Sequence, residues 1–215
     1  MNNLSRIAAG LALASSGLFA TTASAEVSYN VGYTSEYYYR GILQKSSSGS
    51  AGIDYEESGF YAGAWTADVG DGLEVDGYFG YGIETETGFT ASLGFTGYYY
   101  TGEFDDTYEE VNFGVGYGMF SLGYSVGEWD GFGAGADYDF LELTVTGENG
   151  LYGTYGTFGD EIDGDYVELG WGTTISEIDF GIAAIFSSDE LSDQTSSSGS
   201  PTESEALVFS ISKTW

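Results

Sequence analysis

Ala206-Leu-Val-Phe-Ser-Ile-Ser-Lys-Thr-Trp215, the last ten residues of the chain, alternate apolar and polar side chains. Successive side chains of a β-strand point to opposite faces, so Leu207, Phe209, Ile211 and Trp215 share one side and Ser210, Ser212 and Thr214 the other. About ten residues is also the length a tilted strand needs to cross a bilayer. In a membrane barrel the apolar face of such a strand meets lipid and the polar face meets a lumen.

Working back from that strand, alternating segments recur to Val27, separated by turn-forming residues. The clearest is Leu73–Ile83, with Leu73, Val75, Phe79, Tyr81 and Ile83 outward and Glu74, Asp76, Tyr78, Gly80 and Gly82 inward. In the first strand, Val27–Arg40, Tyr37 and Tyr39 continue the face of Val27, while Glu36 and Arg40 continue the opposite one. The second strand is placed at Ser50–Tyr55, after a polar loop over Ile42–Gly49. Near Phe140–Leu141 the apolar phase shifts, which predicts a bulge or a one-residue slip there. The expected fold is all-β: a closed, antiparallel, up-and-down transmembrane barrel of about twelve strands, an even number as single-chain bacterial barrels require. The connections support it. They are short after even-numbered strands and mostly longer after odd-numbered ones, up to the Ser-rich Ser187–Glu205. A soluble β-sandwich would show the same alternation with its apolar face inward.

Residues 1–25 carry one early positive charge, Arg6, an apolar run and the small-residue ending Ala23-Ser-Ala25, the pattern of a cleaved secretory signal. The expected organisation is therefore a signal peptide over 1–25 and one barrel domain over 26–215, exported to the bacterial outer membrane. Lys and Arg number 4 against 34 Asp and Glu, a formal charge of −30 that repels phosphate backbones and excludes nucleic acid as a partner. Histidine and cysteine are both absent. The absence of histidine removes Ser-His and Asp-His catalysis and imidazole zinc sites, so no enzyme activity and no cofactor are expected.

Tyr29–Gly41, Glu57–Trp65, Glu74–Tyr81, Phe120–Tyr124 and Phe209–Lys213 are together similar to the corresponding stretches of the TorF-type porins, small proteobacterial outer-membrane proteins. The resemblance covers nearly all of 26–215 and departs at Trp215, where that family more often ends in Phe. It implies an outer-membrane barrel without catalytic residues. It also implies partners: outer-membrane lipid and lipopolysaccharide, with the barrel-assembly machinery and periplasmic chaperones reading Phe209, Ile211 and Trp215 during biogenesis.

The inward residues expected to line a pore are Glu36, Tyr38, Arg40, Asp54, Glu74, Asp76, Tyr78, Glu84, Glu110, Glu142 and Glu168. Rings of acids bias conduction toward cations, so small solutes or cations are the expected cargo. Arg40, the sole arginine after Arg6, is expected to pair with Glu36 or Asp54. Inward glycines such as Gly80, Gly94 and Gly170 would leave space, whereas Tyr38, Tyr78 and Tyr98 could close it. The acidic run Asp160–Asp165 offers oxygen ligands but lacks a calcium-loop pattern. A barrel of this size can also be filled by its own side chains, leaving a plugged, structural or adhesive protein as the rival to a narrow cation-favouring pore.

Overall fold

The computed structural model describes residues 25–215; the proposed signal peptide, with Ala23, lies outside the described residues apart from Ala25. Twelve strands follow in chain order: β1 Glu26–Tyr39, β2 Ile42–Glu57, β3 Phe60–Gly70, β4 Gly72–Glu84, β5 Phe89–Tyr100, β6 Tyr108–Tyr117, β7 Phe120–Trp129, β8 Ala136–Thr146, β9 Leu151–Asp160, β10 Asp165–Ile175, β11 Ile178–Ser187 and β12 Ser204–Thr214. Every strand pairs antiparallel with its chain neighbours, and β1 pairs with β12 to close the barrel. Closure leaves no free sheet edge along that seam, where Asn30–Thr34 face Thr214–Ser210. Main-chain bonds between Tyr29 and Trp215 tie the two ends together at the short-turn end.

The outer surface is apolar by alternation. Val111, Phe113, Val115 and Tyr117 on β6, Phe79 and Tyr81 on β4, and Leu207 and Phe209 on β12 are all exposed. Toward the loop end this band stops at outward acids: Glu109, Glu128, Asp165 and Glu205. An exposed apolar belt bordered by charge around a closed sheet is the surface of a membrane-spanning barrel.

Two local expectations are corrected. Ile42–Gly49 is not a loop but the first half of β2, joined to β1 by the two-residue turn Arg40-Gly41. The phase shift at Phe140–Leu141 is neither a bulge nor a slip, because β8 keeps an unbroken register with both β7 and β9. Tyr138 and Phe140 are inward-facing aromatics, and their burial inside the barrel, together with Phe158, Tyr166, Ile185, Leu191 and Val208, makes the apolar pattern seem to change phase.

Candidate functional site

The first hairpin leaves the wall and enters the barrel. β1 pairs with β12 only as far as Thr34, and β2 pairs with β3 only from Ser50 onward. Residues 35–47 therefore have no ladder partner outside the hairpin, while Ser48 and Gly49 pair only with Thr34 and Tyr33 of β1. At each point of departure a serine side chain replaces the missing ladder bond. Phe209 N donates to Ser35 Oγ at 2.9 Å on the β12 side, and Ser48 Oγ donates to Asp68 O at 2.7 Å on the β3 side. Lys45 adds an ion pair to Asp68. Gln44 is the extra residue in a bulge opposite Tyr37 and Tyr38, and bulges sharpen the bend of a strand pair.

The tip explains the tight turn. Arg40 and Gly41 both have positive φ, 48° and 82°, as a two-residue hairpin of the twist-compatible kind requires. A side chain at Gly41 would put its Cβ 2.7 Å from the Cβ of Tyr166, so the wall opposite also demands glycine. Ser187 Oγ donates to Gly41 O at 2.6 Å, fixing the tip to β11.

Inside, the hairpin spans the bore. Arg40 is buried, and its two terminal nitrogens donate to the two oxygens of Glu110 on β6, each at 2.9 Å. Tyr98 and Tyr138 also donate to Glu110, each at 2.9 Å. Arg40 Nη2 donates further to Ser125 Oγ on β7 at 3.2 Å, and Ser125 in turn donates to Asn112. The guanidinium lies 4.2 Å from the ring centre of Phe140 and 5.0 Å from that of Tyr39. A planar, always-charged fork meeting a carboxylate in two parallel bonds, with aromatic faces beside it, is the strongest form such a pair takes.

The remaining acids are held by phenols. Tyr37 on the hairpin donates to Glu74 at 2.5 Å, and Tyr100 to the same carboxylate at 3.1 Å. Tyr166 donates to Glu142 at 3.1 Å, Tyr152 to Glu168, and Tyr78 to Asp54, which also accepts from Asn30 at 3.2 Å. Asp76 is buried and its Oδ1 has no partner; Trp65, which faces it across the β3–β4 ladder, has an unpartnered Nε1.

The structure thus gathers Arg40, Glu74 and Glu110 around the hairpin and sets Asp76 on the same inward face of β4 as Glu74. It leaves Asp54 and Glu168 in separate tyrosine pairs and puts Glu84 exposed at the short-turn end of β4. Tyr38 packs with Ile42 against the apolar cluster near Val208 and Leu191, and Glu36 stays half-buried on the hairpin. Arg40 takes Glu110, not Glu36 or Asp54. Tyr37 and Tyr39 belong to the interior, contrary to simple alternation from Val27, because both faces of an inserted hairpin are inside. Glycine did not leave open space at Gly80, Gly94 and Gly170: the ring of Tyr61 covers the first two and that of Tyr152 the third. At Asp160–Asp165, Ile162 packs into the core, and among the described residues no three acids come together as a metal ion would need.

A closed twelve-stranded barrel with an apolar exterior, a polar acidic interior and its first hairpin folded into the bore defines a membrane-barrel protein with an internal constriction. Residues 19–202 match the family described as "Bacterial protein of unknown function (Gcw_chp)", and the chain belongs to that family. No curated protein matches it. Among solved structures, it is similar to Pseudomonas aeruginosa OccK1 (OpdK) at 15% identity and TM-score 0.40, over 80% of this chain and 58% of that one. Acinetobacter baumannii OccAB3 gives 14%, TM-score 0.43 and coverage of 86% and 59%. Pseudomonas aeruginosa OccD3 (OpdP) gives 14%, TM-score 0.41 and coverage of 88% and 60%. The chain spans less than two thirds of the length of each.

Proposed function

We infer that this protein is an outer-membrane pore of the TorF-type porin kind, exported through a cleaved signal and narrowed by its own first hairpin to a cation-favouring passage for small hydrophilic solutes. One observation carries the reading: the hairpin crosses the bore and sets Arg40 against Glu110, with Glu74, Asp76 and Glu142 on the surrounding wall. Low-dielectric walls concentrate the field of unbalanced charge, and among the described residues the buried acids Glu74, Asp76, Glu110 and Glu142 outnumber the one buried cation, Arg40. The acidic loop end suits a partner layer of lipopolysaccharide bridged by divalent ions. A second reading, a barrel closed by the hairpin and serving a structural or adhesive role, is favoured by the apolar cluster of Phe140, Tyr166, Ile185, Leu191 and Val208 with Tyr38 and Ile42. Planar-bilayer recording of the refolded protein under a salt gradient separates the two. Discrete steps with a cation-biased reversal potential are expected; silence from folded, inserted protein would support the closed barrel, and an anion-biased potential would sink the selectivity.

A further inference from the structure

We propose that the nest around Arg40 is a guanidinium-binding site, that Arg40 is its tethered occupant, and that the solutes this barrel recognises are small alkylguanidinium or related organic cations that take Arg40's place. The proposal rests on the pore reading for its transport meaning, but the site itself rests on geometry alone. Apart from the ring of Tyr39, which the hairpin itself brings, every contact to the guanidinium comes from a wall strand. Glu110 is oriented by the Tyr98 and Tyr138 phenols from β5 and β8, and Ser125 by Asn112, which donates to Thr96 at 2.9 Å. Phe140, one wall of the nest, is packed against Phe158 with ring centres 4.8 Å apart and stacked on Tyr166. Wall strands thus supply a bidentate acceptor, a hydroxyl acceptor and an aromatic face, which together match a planar cation.

The grip is on the terminal end only. Both polar contacts to Glu110 and the one to Ser125 use Nη1 and Nη2, whereas Arg40 Nε is buried without a partner. A free ligand needs only a terminal guanidinium; nothing reads its stem. An inorganic metal ion is a poorer match, since among the described residues no three acids cluster as metal ligands. The occupant is carried by a hairpin that no wall ladder holds beyond Thr34 and Ser50; its attachments are the Ser35, Ser48, Tyr37–Glu74 and Ser187–Gly41 bonds, the Lys45–Asp68 ion pair and the packing of Tyr38 and Ile42. Exchange of Arg40 for a solute therefore requires displacement of one hairpin, with the wall ladders of the barrel intact.

The test is a ligand-rescue experiment on Arg40→Ala in phospholipid vesicles, with methylguanidinium chloride at millimolar concentration as the probe and equal sodium or tetramethylammonium chloride as controls. Thermal unfolding is followed by heat-dependent gel mobility. At a probe concentration tenfold above its Kd, a site present only in the folded state raises the folded-to-unfolded ratio about elevenfold. That rise is expected for R40A, with no response from the wild type, whose site is filled, or from the double variant R40A/E110Q, which lacks the acceptor. If R40A does not fold in sodium chloride, its refolding yield in methylguanidinium is read instead, and rescue is again expected. A response no larger than that to sodium, or one that persists in the double variant, overturns the site. Conductance of the same samples keeps the two claims apart. Rescue without channels removes the pore reading and keeps the site, whereas channels without rescue remove the site and keep the pore.

Discussion

At the scale of single residues, Arg40 shows how burial decides what an ion pair is worth. Its side chain and that of Glu110 are 2% and 0% exposed, while Lys45 and Asp68 are 26% and 46% exposed. Removing one member of a buried pair strands the other charge away from water, a loss of about 3–5 kcal/mol, whereas an exposed pair contributes about 0–1 kcal/mol. Glu110→Gln should therefore cost about 3–5 kcal/mol in urea unfolding from lipid vesicles, and Lys45→Ala no more than about 1 kcal/mol. Equal costs would mean that the Arg40 nest is wetter than its geometry implies. Gly41 carries a second prediction. Its left-handed backbone alone would cost an alanine about 1–2 kcal/mol, and the approach to Tyr166 adds a clash that only displacement of the hairpin tip can relieve. Gly41→Ala should thus be both less stable and more open, seen as a lower unfolding midpoint together with larger single-channel conductance. A stability loss with unchanged conductance would show that the tip does not set the bore.

At the scale of elements, the β1–β2 hairpin departs from what the sequence shows. Ser46-Ser-Ser-Gly-Ser50 reads as a loop because it has no apolar alternation: it is the stretch where β2 leaves the wall, with Ser48 buried on Asp68 and Ser47 exposed beside the hydroxyl of Tyr33. The same cause hid Tyr37 and Tyr39, which continue the outward phase of Val27 to Tyr33 on paper but lie inside. Phe140 was legible as a disturbance but not as its origin, since an inward aromatic and a one-residue bulge leave the same trace in sequence. Two of the residues that tie the hairpin to the wall, Ser35 and Ser48, carried no signal that could have distinguished them from other serines. Each bond is an ordinary side-chain to main-chain hydrogen bond, so Ser35→Ala and Ser48→Ala should each cost about 1 kcal/mol. Their functional effect should be larger than their energetic one. The double variant leaves the strand pairs of the wall in place and loosens only the points where the hairpin departs, so bilayer recordings should show more frequent transitions and a larger open fraction. Traces indistinguishable from wild type would mean the hairpin is held by its remaining contacts, those of Tyr37, Lys45 and the Arg40 end.

At the scale of the whole molecule, the barrel was legible because a membrane imposes one rule on every strand. Outward positions must be apolar over the depth of the hydrocarbon, and period two then writes the architecture into sequence strand by strand. The interior obeys no such rule, which is why strand number and faces could be read while the partner of Arg40 and the filling of the bore could not. Depth is the part of the exterior that only three dimensions supply. Leu73 and Phe79 are both outward on β4 and look equivalent in sequence. In the barrel, Leu73 sits beside Asp68 in the β3–β4 ladder, at the charged loop-end border, with its amide bonded to Thr101 of the adjoining loop. Phe79 sits mid-strand between Ala62 and Phe95, its ring centre 5.7 Å from that of Phe95. An arginine costs about 2–4 kcal/mol at the bilayer midplane and about 0–1 kcal/mol near the interface. Phe79→Arg should therefore destabilise the lipid-folded state by about 2–4 kcal/mol, whereas Leu73→Arg should cost less than about 1 kcal/mol. Titration of folding in vesicles reads both. A large penalty at Leu73 with a small one at Phe79 would move the membrane toward the loop end and place the hairpin's points of departure, and with them the constriction, deep within the bilayer.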